Sequence, residues 1–296
     1  MTTLAEAVAT GPVVLDGGLA TLLEAHGHDL TSDLWSARLL RDNPGAVVAA
    51  HAEYFAAGAQ VATTASYQAS FAGFAGLGLD AAGAARLMVA SVDLARRARD
   101  EAAPDGWVAA SVGPYGAVLA DGSEYRGDYG LSVSELRAFH RPRLEVLASA
   151  APDVLALETI PCLAEAEALL AEVEALGVPA WLSVTCAGGR LRSGESVAEA
   201  FAMAADVHAV VAVGLNCSAP DEVVRVLAAT QGVRPGIAYP NSGQSWEAVA
   251  RAWVGESAFD PALVRSWLDA GARLVGGCCR VGPADIAALA ADVRAG

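Results

Sequence analysis

VLALETIPCLAEAEALLAEVEALG, residues 154–177, decides how the chain is read. VLALET at 154–159 is a short apolar run ending in a carboxylate and a hydroxyl. PCLAEAEALLAEVEALG at 161–177 opens on proline, which has no N–H to lose in a first helical turn, and closes on glycine, the common residue just past a helix end. AWLSVT at 180–185 is a second short apolar run. Strand, helix and strand in that order form the repeating unit of a parallel sheet.

The same alternation extends in both directions. VVLD at 13–16, QVATTAS at 60–66 and VAASVGP at 108–114 precede it, and AVVAVGLNC at 209–217, IAYP at 237–240 and LVGGCC at 274–279 follow, each bounded by turn residues. Helices are expected at 43–58, 79–102 and 132–150, the last started by Ser132 or Ser134 with Glu135. Further helices are expected near 194–206, 219–230, 244–252, 260–271 and 283–294. Eight strands with crossover helices predict an α/β chain folded as a (β/α)8 TIM barrel, one domain over residues 1–296. A doubly wound dinucleotide fold is a poor competitor, since the VVLDGG turn lacks the GxGxxG spacing.

In such a barrel the C-terminal ends of the strands converge on one face. Asp16, Thr64, Ser66, Ser111, Glu158, Asn216, Asn241 and the cysteines fall at those ends. Cys217 closes the sixth strand, and Cys278 with Cys279 closes the eighth. Three thiolates suit a tetrahedral zinc ion with its fourth position open, although buried cysteines also serve as small apolar core residues. Residue types alone leave both readings standing. Using adjacent Cys278 and Cys279 together requires a departure from strand geometry, where neighbours face opposite ways. The histidines, His26, His28, His51, His140 and His208, form no ligand motif and read as packing or surface residues.

Composition sets outer limits. The 296 residues carry 19 basic and 34 acidic side chains, a formal net charge of -15, and the basic ones are all arginine. Without lysine there is no Schiff-base or pyridoxal-phosphate anchor and no Walker-type phosphate loop. The acidic balance argues against nucleic acid and anionic membrane as partners. Five cysteines in a chain whose first residues show no secretory pattern predict reduced thiols and a cytoplasmic location. AVVAVGLNC falls far short of the ~20 residues that span a bilayer.

The motifs LDGGLATLLE, GAQVATTASYQAS, SVGPYGAVLADGSEYRGDY, LALETIPCLAEAEAL, GLNCSAP, YPNSG and GGCCRVGPADI together resemble the zinc-dependent homocysteine S-methyltransferase family over nearly the whole chain. The run from SVGP through GSEYRGDY looks most like the single-domain members that use S-methylmethionine, and often S-adenosylmethionine. The resemblance implies Zn2+ on Cys217, Cys278 and Cys279, and methyl transfer to the thiol of L-homocysteine to give methionine. It also implies that Asp16, Gly17 and Gly18 form part of the homocysteine pocket and that Glu158 binds the homocysteine ammonium. Thr64, Ser66 and Asn216 are expected to orient the acceptor or the metal ligands. Ser111 and Tyr115 are assigned to the donor, with Tyr125 and Tyr129 in the same loop. DVHAVV at 206–211 has valine where a cobalamin DxHxxG motif needs glycine. Thr159 stands where betaine-using relatives carry tyrosine. An S-adenosylmethionine-preferring enzyme and a non-catalytic zinc-binding protein are the alternatives, and a monomer is expected.

Overall fold

The computed structural model describes residues 2–30, 36–247 and 252–296. Eight parallel strands carry the fold: β1 Val13–Val14, β2 Val61–Thr63, β3 Trp107–Val112, β4 Val154–Ile160, β5 Ala180–Val184, β6 Val210–Asn216, β7 Gly236–Tyr239 and β8 Ala272–Val275. They pair in the order β1-β8-β7-β6-β5-β4-β3-β2, and a parallel bridge between Leu15 and Val61 joins the two ends into a barrel. All eight strands predicted from sequence are present, with helices between them.

Strand alternation sorts the side chains into two cores. Leu155 and Leu157 of β4 face the helices, whereas Val154 and Ala156 join Leu15, Val61, Ala109, Trp181, Ala212, Ile237 and Leu274 in a separate cluster inside the barrel. Leu4 and Val8 belong to that inner cluster, brought there by the helix Leu4–Thr10, which starts at a Thr3–Glu6 capping box. Continuing the inward period of two, the next residues are Thr63, Ser111, Glu158, Ser183 and Tyr239, and on β6 Gly214 followed by Asn216. The inner core is therefore apolar at the helix-covered end and polar at the strand C-termini, within single strands.

The helix Pro283–Arg294 lies where one is expected from the sequence, at 283–294. The sequence also predicted a helix over 244–252. Instead Ser245–Glu247 and Ala252–Val254 form an antiparallel pair with Trp246 opposite Trp253, while 248–251 lie outside the described residues. Trp246, Trp253 and Val254 are of the aromatic and β-branched types that favour an extended ladder over a helix. No helix among the described residues is long and apolar enough to cross a membrane.

Candidate metal centre and active site

Polar ends of seven of the eight strands and the loops behind them enclose a pocket with about 780 Å³ of space, part of it open to solvent. Asp16, Gly17, Gly18, Thr64, Ser111, Glu158, Asn216, Cys217, Cys278 and Cys279 line it, as the sequence predicted. Ser66 and Tyr115 do not. Ser66 is fully buried, where its hydroxyl donates to the Ser111 carbonyl (2.7 Å) and accepts from Thr64. That leaves the Thr64 oxygen free to accept the Ser111 N–H (3.0 Å), so the pair splices β2 to β3. Tyr115 packs edge-on against Tyr129 (5.4 Å) and Phe139 (5.0 Å), because its helix turns it back toward Val133–Ser149. Tyr125 from the same loop lines the pocket instead.

The three sulfurs converge as the eighth strand ends. β8 stops at Val275, so Cys278 and Cys279 lie beyond the alternation that would have sent them to opposite faces. Cys217 follows inward-facing Asn216, and its left-handed backbone (φ 44°) marks where that chain also leaves strand geometry. Cys217 Sγ is 3.9 Å from Cys279 Sγ, Cys278 Sγ is 4.0 Å from Cys279 Sγ, and the three sulfurs lie within 4.8 Å of one another. A tetrahedral ion with ~2.3 Å metal–sulfur bonds needs sulfurs about 3.8 Å apart. The donor set and its spacing fit such an ion. Both neighbours donate to Cys217, which pulls its thiol well below the usual range and leaves Cys278 and Cys279 well above it. Three thiolates packed this closely need a cation among them.

Gly17 and Gly18 hold the first loop against the cysteine loop. A Cβ on Gly17 would sit 2.3 Å from the Val281 carbonyl, and one on Gly18 would sit 2.6 Å from the Cys278 carbonyl. Only glycine permits that backbone approach. Tyr54 fixes the same loop from outside by donating to Val281 O (3.1 Å).

Glu158 and Asp16 line the pocket with no cationic partner among the described residues. Glu158 accepts from the Ser111 hydroxyl and from Tyr239 OH (3.1 Å), itself oriented by Trp181 Nε1 (3.0 Å). Burial pushes Glu158 up to about 8, against the pull of the Ser111 hydrogen bond. Asp16 accepts the N–H and hydroxyl of Thr63 (2.7 and 2.8 Å), yet burial raises it to about 7.

Asn216 acts as a clamp. Its Oδ1 accepts Thr159 N–H (2.7 Å) and Ser183 Oγ–H (2.9 Å), while Nδ2 donates to Thr159 Oγ1 (2.8 Å) and lies 4.0 Å from Cys278 Sγ. Thr159 has φ 62°, a strained value for a β-branched residue, at a register shift between β4 and β5. The clamp holds that strained turn beside Glu158.

Thr63, Tyr67, Gln68, Glu124, Thr159 and Tyr239 line the pocket without having been singled out as site residues. Thr63 and Tyr239 were findable as the last inward-facing positions of β2 and β7. Tyr67, Gln68 and Glu124 come from loops whose path no periodicity reveals. Asp206 and His208 precede β6, at the opposite end of the strand from the pocket, where exposed His208 pairs with Glu174 (3.0 Å). All five cysteines are free thiols.

A family profile described as homocysteine S-methyltransferase matches residues 13–293. The homocysteine S-methyltransferase of Escherichia coli strain K12 is 47% identical over 292 residues, 94% of each chain. Homocysteine S-methyltransferase 1 of Arabidopsis thaliana is 41% identical, over 96% of this chain and 94% of that one. Among solved structures, the metallated form of the homocysteine methyltransferase MmuM from Escherichia coli matches with a TM-score of 0.85 at 45% identity, covering 95% of this chain and 96% of that one.

Proposed function

The chain belongs to the homocysteine S-methyltransferase family, and on that premise we propose that it moves a methyl group from the sulfonium of S-methylmethionine to the thiol of L-homocysteine, forming methionine. S-Adenosylmethionine, which presents the same sulfonium chemistry, is the second donor. One observation carries the reading: three thiols at tetrahedral spacing share a pocket with buried carboxyls that lack cationic partners.

Cys217, Cys278 and Cys279 would hold zinc, with the sequence separation of 62 residues bridged by the closing of the barrel. When bound, zinc supplies a Lewis acid that keeps the homocysteine sulfur in its thiolate form near neutral pH, where a free thiol with pKa ~8.5 is mostly protonated. Glu158 receives the homocysteine ammonium, and the hydroxyls of Ser111 and Tyr239 orient that carboxylate from below. Asp16, fixed by Thr63, and the Gly17–Gly18 backbone shape the remainder of the acceptor pocket. Thr64 and Ser66 act behind Ser111, and Asn216 steadies the turn that carries Thr159. Ser111 and Tyr125 face the donor space, and Tyr115 supports the donor loop from behind.

In the transfer the acceptor sulfur bonds to the methyl carbon while the carbon–sulfur bond of the donor breaks, and that electron pair stays on the donor sulfur. No proton moves in this step, so no general base is required. Two methionines form when S-methylmethionine is the donor. The reading takes residues 1–296 as one catalytic unit, a monomer acting on small molecules in the cytoplasm.

Mass-resolved product analysis with labelled homocysteine and competing S-methylmethionine, S-adenosylmethionine and betaine tests the whole scheme. Label in methionine from the first two donors supports it. Label from betaine alone, or no methionine at all from metal-loaded protein, would overturn it.

A further inference from the structure

Glu124 sits in the tight turn Ser123–Tyr125 and is 5% exposed. It lines the pocket beside Tyr67 and Tyr125. Among the described residues its carboxylate has no ion pair and no side-chain hydrogen bond to another residue, and Oε2 is wholly buried without a partner. Arg126, the arginine of this loop, makes no ion pair with Glu124, and its charge lowers the carboxyl far less than burial raises it. Arg126 donates to Ser123 Oγ (2.7 Å) and faces Asp121 and Asp128, while Arg192 stands over the Tyr125 ring at 5.4 Å.

The turn is fixed tightly enough to hold the carboxylate where it is. Ser123 N–H donates to Asp121 Oδ1 (2.9 Å), and a Cβ on Gly116 would come within 2.5 Å of Glu124 N. A buried, unpaired carboxylate is costly as an anion, and burial lifts this one to about 7. A cation arriving in the pocket would remove that cost. Glu124 lines the same pocket as Cys217, Cys278 and Cys279, so it faces the space into which the methyl group must be delivered.

We propose that Glu124 is the counter-ion of the donor sulfonium, a specificity-determining residue that makes the pocket select a charged sulfonium over a neutral thioether of the same shape. The inference rests on the methyl-transfer reading above. The donor sulfur must lie in line beyond the methyl carbon and the acceptor sulfur, close to the cysteines, whereas the amino-acid ends of both substrates lie several bonds away. As the methyl group leaves, its bonding pair stays on the donor sulfur and the positive charge disappears. Glu124 then loses its counter-ion, which favours release of the thioether product. Because the attraction is strongest before transfer and fades during it, Glu124 acts mainly on donor binding and less on the chemical step.

The test is steady-state kinetics and calorimetry on the metal-loaded wild type and on Glu124→Gln, with S-methylmethionine as donor and methionine as the ligand of the same skeleton whose sulfur is neutral. Removing the charge should raise the donor KM about 10- to 100-fold, with a smaller change in kcat and an unchanged homocysteine KM. The preference for S-methylmethionine over methionine should shrink by the same factor. An unchanged preference in Glu124→Gln, or equal loss of affinity for both ligands, overturns the proposal. Wild-type protein supplies a check that needs no variant, since equal affinity for S-methylmethionine and methionine overturns it as well. If the wild type transfers no methyl group from any sulfonium, the function itself fails. If it transfers normally and Glu124→Gln keeps its donor preference, only this inference fails.

Discussion

Glu172 and Glu158 are buried to a similar depth, 3% and 6% exposed, and their carboxyls are driven in opposite directions. Glu172 lies on the helix Leu163–Leu176, gripped by Arg137 (2.6 Å) and Arg141 (2.8 and 2.9 Å) from the helix Val133–Ser149, and the Arg141 hydrogen bonds pull it below its ordinary value. Glu158 at the barrel mouth receives only hydroxyl donors, and burial pushes it up to about 8. Burial alone therefore does not mark a site. A buried carboxylate that lines the pocket with only hydroxyl donors is left for a ligand to complete.

The sharpest way to break that contrast is at the sulfurs. Cys217→Ala, Cys278→Ala and Cys279→Ala should each lower bound metal from near one equivalent per chain and cost roughly a thousandfold or more in methyl transfer, as expected when several kcal/mol of metal assistance is lost. Metal analysis with an activity assay checks this, and full activity in three metal-free variants would remove the basis of the mechanism. Next in size is Glu158→Gln, expected to raise the homocysteine KM about 10- to 100-fold while the protein stays folded. If Glu172→Gln raised that KM as much, the distinction between the two carboxyls would collapse.

The contrast sharpens in the pH dependence of stability. Glu158 has a folded value near 8 against an ordinary 4.5, so its contribution in the ligand-free, metal-free protein is fully present below about 4.5 and is lost as pH rises through 8. Glu172 runs the other way: its pairing stabilises above its ordinary value of 4.5 and is lost as pH falls through its depressed folded value. Thermal unfolding from pH 5 to 8.5 should show Glu158→Gln gaining on the wild type by about 2–4 °C for each kcal/mol relieved. A gap that stays flat with pH would count against the unpaired burial of Glu158. The smallest effect belongs to Glu172→Gln. Half-exposed Arg137 and Arg141 screen the pair, so the loss should be about 0–1 kcal/mol by denaturant titration, with kinetic constants unchanged.

The sequence exposed these features unevenly. Eight strands and the helix Pro283–Arg294 were legible because period, proline and glycine act locally, and the strand ends delivered Glu158, Asn216 and the cysteines to one rim. Thr63 and Tyr239 obey the same inward period but were overlooked, since their strands are short and their partners, Asp16 and Glu158, lie 47 and 81 residues away. Tyr115 was preferred over Tyr125 for the donor because both are aromatic residues of one loop. Which one reaches the pocket depends on the helix Tyr115–Leu119 and the turn after it, and no pattern in the loop sequence encodes that. The 244–252 stretch, expected as a helix, differs for a related reason: Ser245–Glu247 pairs with Ala252–Val254 in an antiparallel ladder, and that pairing is set by the partner strand.

The joining of the first loop to the cysteine loop has a consequence for how the protein is made. Ribosomes release a chain from its N-terminus onward. Asp16, Gly17 and Gly18 therefore emerge first, and the carbonyls of Cys278 and Val281 against which they seat emerge last. A nascent chain that has exposed Cys217 but not residues 278 and 279 holds one sulfur ligand and an unsealed ring. Metal loading through these three sulfurs would thus have to follow closure of the barrel and not the folding of any fragment.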